Sequence, residues 1–267
     1  MLRNAFAKGL RDQARPLAMW TVAVAFYVAF LMSIYPSIRH AAGSLQGYIN
    51  SLPNALRVAF IGPGGDFSSP VGYVNTELLS WLGPIVFIAF AVAIAARALA
   101  GEEEEGTLSL ILSCGVGRRR LALQKYVALL IAVALLGAAF WLALLIATRA
   151  IGTPVGVGEL AQAMLRLTLL GIAIGSASYA AGAASGRRQT AIAAGAGLGV
   201  AMYLLNTLAQ LNATARPLRF LSLFYYSGSP APLGRALDPL DTVVLAGFAA
   251  ALLAVTLVLF ERRDVRV

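Results

Sequence analysis

The sequence is short of most of what soluble proteins use to bind or transform polar ligands. Its 267 residues include one cysteine, Cys114, and one histidine, His40. A single cysteine excludes an intrachain disulfide, and one Cys with one His cannot build a tetrahedral zinc site. With only five methionines besides, copper and other metal handling is disfavoured. Charged residues make up 12% of the chain, about half the usual ~25% of a soluble domain. Acidic residues number 12 against 21 basic ones. What is present in excess is apolar: 59% of the residues, with a mean hydropathy of +0.78. No single core of a chain this length hides so much apolar surface, so the bilayer must be its solvent. The net charge of +9 then reflects basic residues retained on the inner side of a membrane rather than nucleic-acid binding.

Six runs are long enough to cross a bilayer as helices: residues 16–34, 79–99, 126–147, 165–184, 190–211 and 242–260. The first is too long for a signal peptide and is followed by bulky Ile34 and Tyr35 rather than a small-residue cleavage site. An even number of spans places both chain ends on one side. With the N-terminus inside, 14 basic residues lie on inner segments and 7 on outer ones, which predicts cytoplasmic termini. The expectation is an all-α membrane protein with a single transmembrane domain. Residues 36–78 and 212–241 are its external segments. Residues 1–15, with Arg3, Lys8, Arg11 and Arg15 among Phe6, Ala7 and Leu10, form a basic amphipathic helix on the inner leaflet. The external stretch 45–60 is amphipathic, and the aromatic run Phe220–Tyr226 reads as interfacial or re-entrant.

The inner loop 100–125 is the most informative stretch. Glu102, Glu103, Glu104 and Glu105 precede Gly106-Thr107, then the apolar Leu108–Leu112, a small-residue turn, and Arg118, Arg119 and Arg120 before Lys125. Thr107 is placed to cap a short helix. Leu108, Ile111 and Leu112 share one face at helical spacing. Such a helix can rest on headgroups or dock a soluble partner. The clustered acids favour docking, since anionic lipid repels them. Gly101 and Gly106 have the outer spacing of a phosphate loop but lack the Lys-Ser/Thr that follows it, so the sequence carries no ATPase signature. The paired glutamates do not fit an intramembrane metalloprotease, because His40 lies outside the first span. Gly171 and Gly175, then Gly195 and Gly199, are small-residue positions for close helix packing, read as intrachain rather than dimer contacts. Arg97, Arg149 and Arg166 are read as snorkelling from helix ends. No Asp, Glu or Lys falls at mid-membrane depth, which argues against an ion-coupled carrier.

The Glu102–Lys125 loop resembles that of the type-2 ABC transporter permease family: an acidic cluster, Gly-Thr, a short apolar helix, a small-residue turn with arginine, and a Lys before the next span. Cys114-Gly115-Val116 stands where members often carry a proline. The stretches Ser51–Arg57 and Asp66–Tyr73, the Leu221–Tyr226 run and the ending Phe260–Asp264 resemble one bacterial branch. The resemblance implies a permease subunit of an ABC exporter in the cell membrane. It would have no cofactor of its own and would pair with a second copy or a paralogous permease. Two copies of a cytoplasmic ATPase subunit would bind ATP and Mg. The 1–15 stretch would be an elbow helix and Thr107–Ser113 the coupling helix. The ATPase would dock on Glu102–Glu105, Thr107, Leu108, Ile111, Leu112 and Arg118–Arg120. Replacing Leu108 and Leu112 with Asp would then abolish docking and leave the fold intact. An apolar, charge-poor bundle suits a hydrophobic drug, antibiotic or lipid-like substrate. The rival readings are an ion-coupled secondary carrier and a non-transporting scaffold or assembly factor.

Overall fold

A computed structural model describes residues 5–53, 56, 69–113, 116–152, 155–212, 214–229, 231–236 and 238–263. The expected loop residues 57–68, the turn residues Cys114 and Gly115, and Asp264 lie outside them, as do the side chains of Arg3, Phe6, Lys8 and Leu10. Among the described residues the chain is helical and has no strand. The helices are α1 (Ala5–Ser51), α2 (Pro70–Glu104), α3 (Thr107–Ser113), α4 (Arg118–Ala150), α5 (Val157–Ser185), α6 (Arg188–Leu211), α7 (Leu223–Tyr226) and α8 (Pro239–Arg262). Six of them, α1, α2, α4, α5, α6 and α8, are long and apolar enough to span a membrane. The six-helix expectation is met.

Boundaries differ from those drawn on hydropathy. Helix α1 runs unbroken through Pro16 and Pro36 for 47 residues, about 70 Å at 1.5 Å per residue. Helix α2 begins at Pro70, not at residue 79. Ser69 caps it by accepting from the Gly72 amide at 3.0 Å, and Pro70 supplies a fixed φ at the first turn. Polar Asn75, Thr76 and Glu77 lower the hydropathy here, yet they lie in a wide, π-helical stretch, Val74–Leu82, that continues the regular helix of Pro70–Tyr73. A second wide stretch, Arg97–Gly101, ends the span.

Helices α2 and α5 form the centre. Each is two-thirds buried over its apolar window, against 17–39% for the other spans. Lipid offers no hydrophobic drive for helices to associate, so close packing and interhelical hydrogen bonds must do it. The small residues provide the first. A Cβ on Gly171 would sit 3.0 Å from the Phe87 Cβ, and one on Gly175 would sit 2.9 Å from the Ala91 Cβ. Gly195 faces Val92 and Ser178, and Gly199 faces Ile88. All four glycines thus lie at contacts within the chain, along the α2–α5 and α6 seams. Hydrogen bonds supply the rest. Tyr126 pairs with Ser176 at 2.7 Å, Tyr179 donates to the Ala122 carbonyl at 2.8 Å, and Ser178 donates to the Ala191 carbonyl at 2.8 Å. These fasten α4 and α6 to α5. Helix α1 lies outermost, against α4, with Trp20 edge-on to Phe90 of α2.

The two ends of the bundle are built differently. At one end lie α3, the α5–α6 turn, Gly9 of α1 and the end of α8. At the other, residues 214–229 and 231–236 form a cap that includes a 3-10 turn (Arg216–Leu221) and α7.

Candidate functional site

The α3 end brings together the residues that the sequence singled out. Gly106 takes a left-handed φ of +69°, reversing the chain between α2 and α3. Thr107 does not cap α3. Its hydroxyl donates backward to the Glu102 carbonyl at 3.2 Å, so it ties the end of α2 to the start of α3. Helix α3 then lies on the bundle with Leu108 fully buried and Ile111 nearly so. Leu112 is half-buried against the same core. Leu108, Ile111 and Leu112, expected among the residues that dock a partner, thus pack on the chain's own core. The periodicity was right, but the apolar face is spent on the chain's own core. Leu108→Asp would therefore damage the fold rather than test docking. The outward apolar residue is Leu110, 65% exposed. Glu104, Glu105, Ser113, Arg119 and Arg120 are also exposed.

The acidic run is not a plain solvated flank. Three consecutive glutamates reach three different helices. Glu102 pairs with Lys125 of α4 at 2.5 Å, both side chains being almost fully buried. Glu103 pairs with Arg263 at the end of α8. Arg263 in turn donates to the Ala183 carbonyl of α5 at 2.8 Å, and its own carbonyl accepts from Arg118. Glu104 accepts from the Arg188 amide at 2.8 Å, placing a carboxylate at the N-terminus of α6. That position suits an anion, because the first amides of a helix lack partners and its dipole is positive there. Glu105 is left exposed. A Cβ on Gly9 of α1 would make ordinary contact with Ala128 and Lys125 of α4.

Gly186 completes the junction. Its φ is +65°, and a Cβ there would fall 2.5 Å from Arg263 Nη2 and 2.7 Å from the Glu103 carboxylate. Glycine suits the left-handed turn, and any larger residue would also have to shift the ion pair beneath it. Beside it, Glu103, Glu104, Arg187, Gln189 and Thr190 line an open cleft of about 590 Å³. Sequence reasoning missed Gly186, Arg263 and Leu110. The Ser-Gly-Arg-Arg punctuation between two apolar runs signalled the first, but nothing local signalled that Arg263 folds back over Glu103.

A second feature lies along the bundle. Helices α2 and α6 enclose an apolar groove of about 510 Å³, lined by Trp81, Ile85, Ile88, Val200, Tyr203 and Phe224. Ile85, Val200 and Leu204 are at least half exposed or nearly so. The groove carries almost no polar surface, so it offers an apolar molecule contact without hydrogen-bonding demands.

Arg166 departs from its expected place. It is fully buried, nine residues inside α5, and does not snorkel. The cap comes to it instead: Nη1 donates to the Pro232 carbonyl at 3.1 Å and Nη2 to the Arg235 carbonyl at 2.7 Å. Arg97 and Arg149 are exposed.

No curated protein matches the chain. A family model described as ABC-2 family transporter protein matches residues 3–265. That match covers nearly every residue of a six-span helical bundle with a short helix tied across one end, so the chain belongs to the ABC-2 family of transporter proteins and is a multi-pass membrane permease subunit.

Proposed function

We propose that this permease subunit serves an ATP-driven exporter of the cell membrane, with both termini cytoplasmic. Helix α3 is its coupling helix, and a separate soluble ATPase, present in two copies with its own ATP and Mg, docks there. The observation that carries this reading is the wiring of the α3 end. One short helix presents Leu110 to solvent while the three glutamates before it grip α4, α6 and α8. A push on α3 therefore reaches most of the bundle through side chains that are already paired. The docking surface is Leu110 with Glu104, Glu105, Arg119 and Arg120, rather than the buried Leu108 and Ile111. The exposed apolar flanks of the α2–α6 groove suit pairing with a second copy or a paralogous permease. The groove's lining suits a hydrophobic drug, antibiotic or lipid-like cargo.

The test is copurification of the detergent-solubilised chain with its ATPase, followed by ATP hydrolysis. Leu110→Asp is expected to keep the folded helical signal and lose the ATPase. Retention of a stoichiometric ATPase by Leu110→Asp, or a wild-type chain that carries none, would overturn the docking assignment. Transport that follows an ion gradient without ATP would favour a secondary carrier.

A further inference from the structure

The cap is fastened to the bundle by an unusual pair of contacts. Arg166 of α5 gives two hydrogen bonds to cap carbonyls, at Pro232 and Arg235. Asn75 of α2 grips the residue between them in both directions: its amide donates to the Leu233 carbonyl at 3.2 Å, and its side-chain oxygen accepts from the Leu233 amide at 2.9 Å. Two helices thus hold one short loop by its main chain. Gly228 fits against the same guanidinium with φ +85°, where a Cβ would come within 3.2 Å of Arg166 Nη1. Buried donors and acceptors cost little while paired and much when exposed to an apolar surrounding. Neutral carbonyl partners, however, can be replaced by water once the loop lifts into it. Asp241, nearby and buried, pairs directly with Arg235 at 2.9 Å and acts on Arg166 only at longer range.

The far side of the cap faces the groove. Phe224 of α7 lines it and meets Tyr203 of α6 edge-on, with ring centroids 5.5 Å apart. Ser222, at the start of α7, donates to the Met202 carbonyl of α6 at 2.7 Å. The cap is therefore attached to α6 at one edge and latched to α2 and α5 at the other, with the groove's end beneath it.

We propose that the cap is a closure over the cap end of the α2–α6 groove, latched by Arg166 and Asn75, and that unlatching opens the groove for departure of an apolar cargo. This rests on reading the groove as the cargo's path. Arg166 and Asn75 are positioning residues: they act on Phe224 through the loop and need not touch cargo.

Two measurements test it. In the first, Phe224→Cys is made in a Cys114→Ser chain in lipid nanodiscs, and its reaction with a water-soluble maleimide is timed. Adding Arg166→Met or, separately, Asn75→Ala is expected to speed labelling by roughly tenfold or more, the scale of losing hydrogen bonds to a buried group. A cysteine at buried Leu129 of α4 stays unlabelled in the same backgrounds, which separates cap opening from unfolding. Labelling of Phe224→Cys that neither change accelerates would overturn the proposal. In the second, an Asn75→Cys and Leu233→Cys pair is oxidised in vesicles carrying the ATPase and a hydrophobic dye. Dye movement is expected to stop while ATP hydrolysis continues, and to return on reduction. Movement that persists after oxidation sinks the closure. A Cys114→Ser chain without the added pair that moves no dye sinks the permease cargo reading instead.

Discussion

The two ends of the bundle solve the same problem with different chemistry. At the α3 end, ionised side chains meet ionised side chains: Glu102 with Lys125, and Glu103 with Arg263. At the cap end, Arg166 and Asn75 hold main-chain groups of a loop. A buried ion pair is expensive to separate because each member is left charged in a poor solvent. At the cap end the groups given up by Arg166 and Asn75 are neutral main-chain groups of a loop, which water can satisfy once the loop lifts. The first arrangement transmits force without yielding, and the second yields. The difference follows from which partner carries charge, not from how many contacts each end makes.

Breaking the stronger end gives the largest effect. Glu102→Ala, which strands Lys125, is expected to destabilise the chain by about 3–5 kcal/mol, read as a lower thermal midpoint in detergent. Glu102→Leu with Lys125→Met should recover most of that loss and still fail to couple ATP hydrolysis to transport. If the double variant couples normally, the ion pair is only structural. Next is the contrast within α3. Leu108→Ala is expected to cost about 2–5 kcal/mol as a core truncation. Leu110→Ala should stay within about 0.5 kcal/mol of wild type, as surface changes do. Equal losses at the two positions would refute the assignment of α3's faces. In the middle of the bundle, Gly175→Val should cost about 1–3 kcal/mol through overpacking against Ala91, and should loosen both ends together. Among the changes expected to cost stability the mildest is at the cap: Ser222→Ala, which removes an N-cap and the tie to Met202, is expected to cost about 1 kcal/mol, without changing amide protection at the α3 end in a hydrogen-exchange experiment.

Six spans were legible because lipid demands long apolar helices, and hydropathy measures that directly. The short helix over Thr107–Ser113 was legible from spacing. Its orientation was not, because a periodic apolar face says only that something covers it, and here the cover is the chain's own core around Leu121. The start of α2 was lost because Asn75 and Glu77 are polar for reasons outside the helix, Asn75 being needed by Leu233 a hundred and fifty-eight residues away. Arg166 was misplaced for the same reason. A charge in a span reads as a snorkeller until a distant loop is known to fold down onto it. The glutamate run showed its charge but not its three partners, which come from three other helices.

Helix α2 holds Asn75 near one end and Glu102–Glu104 at the other, and a wide turn lies at each: Val74–Leu82 and Arg97–Gly101. Between them Gly83–Ala96 is regular α-helix, seated on Gly171 and Gly175. A wide turn holds about one residue more than an α turn, and each residue advances a helix by about 1.5 Å. The rod therefore carries slack at both ends and none in its seated middle. Either end can shorten or turn by a fraction of a helical step while the central seam stays closed, much as a shaft with a flexible joint at each end passes motion on without shifting in its bearing.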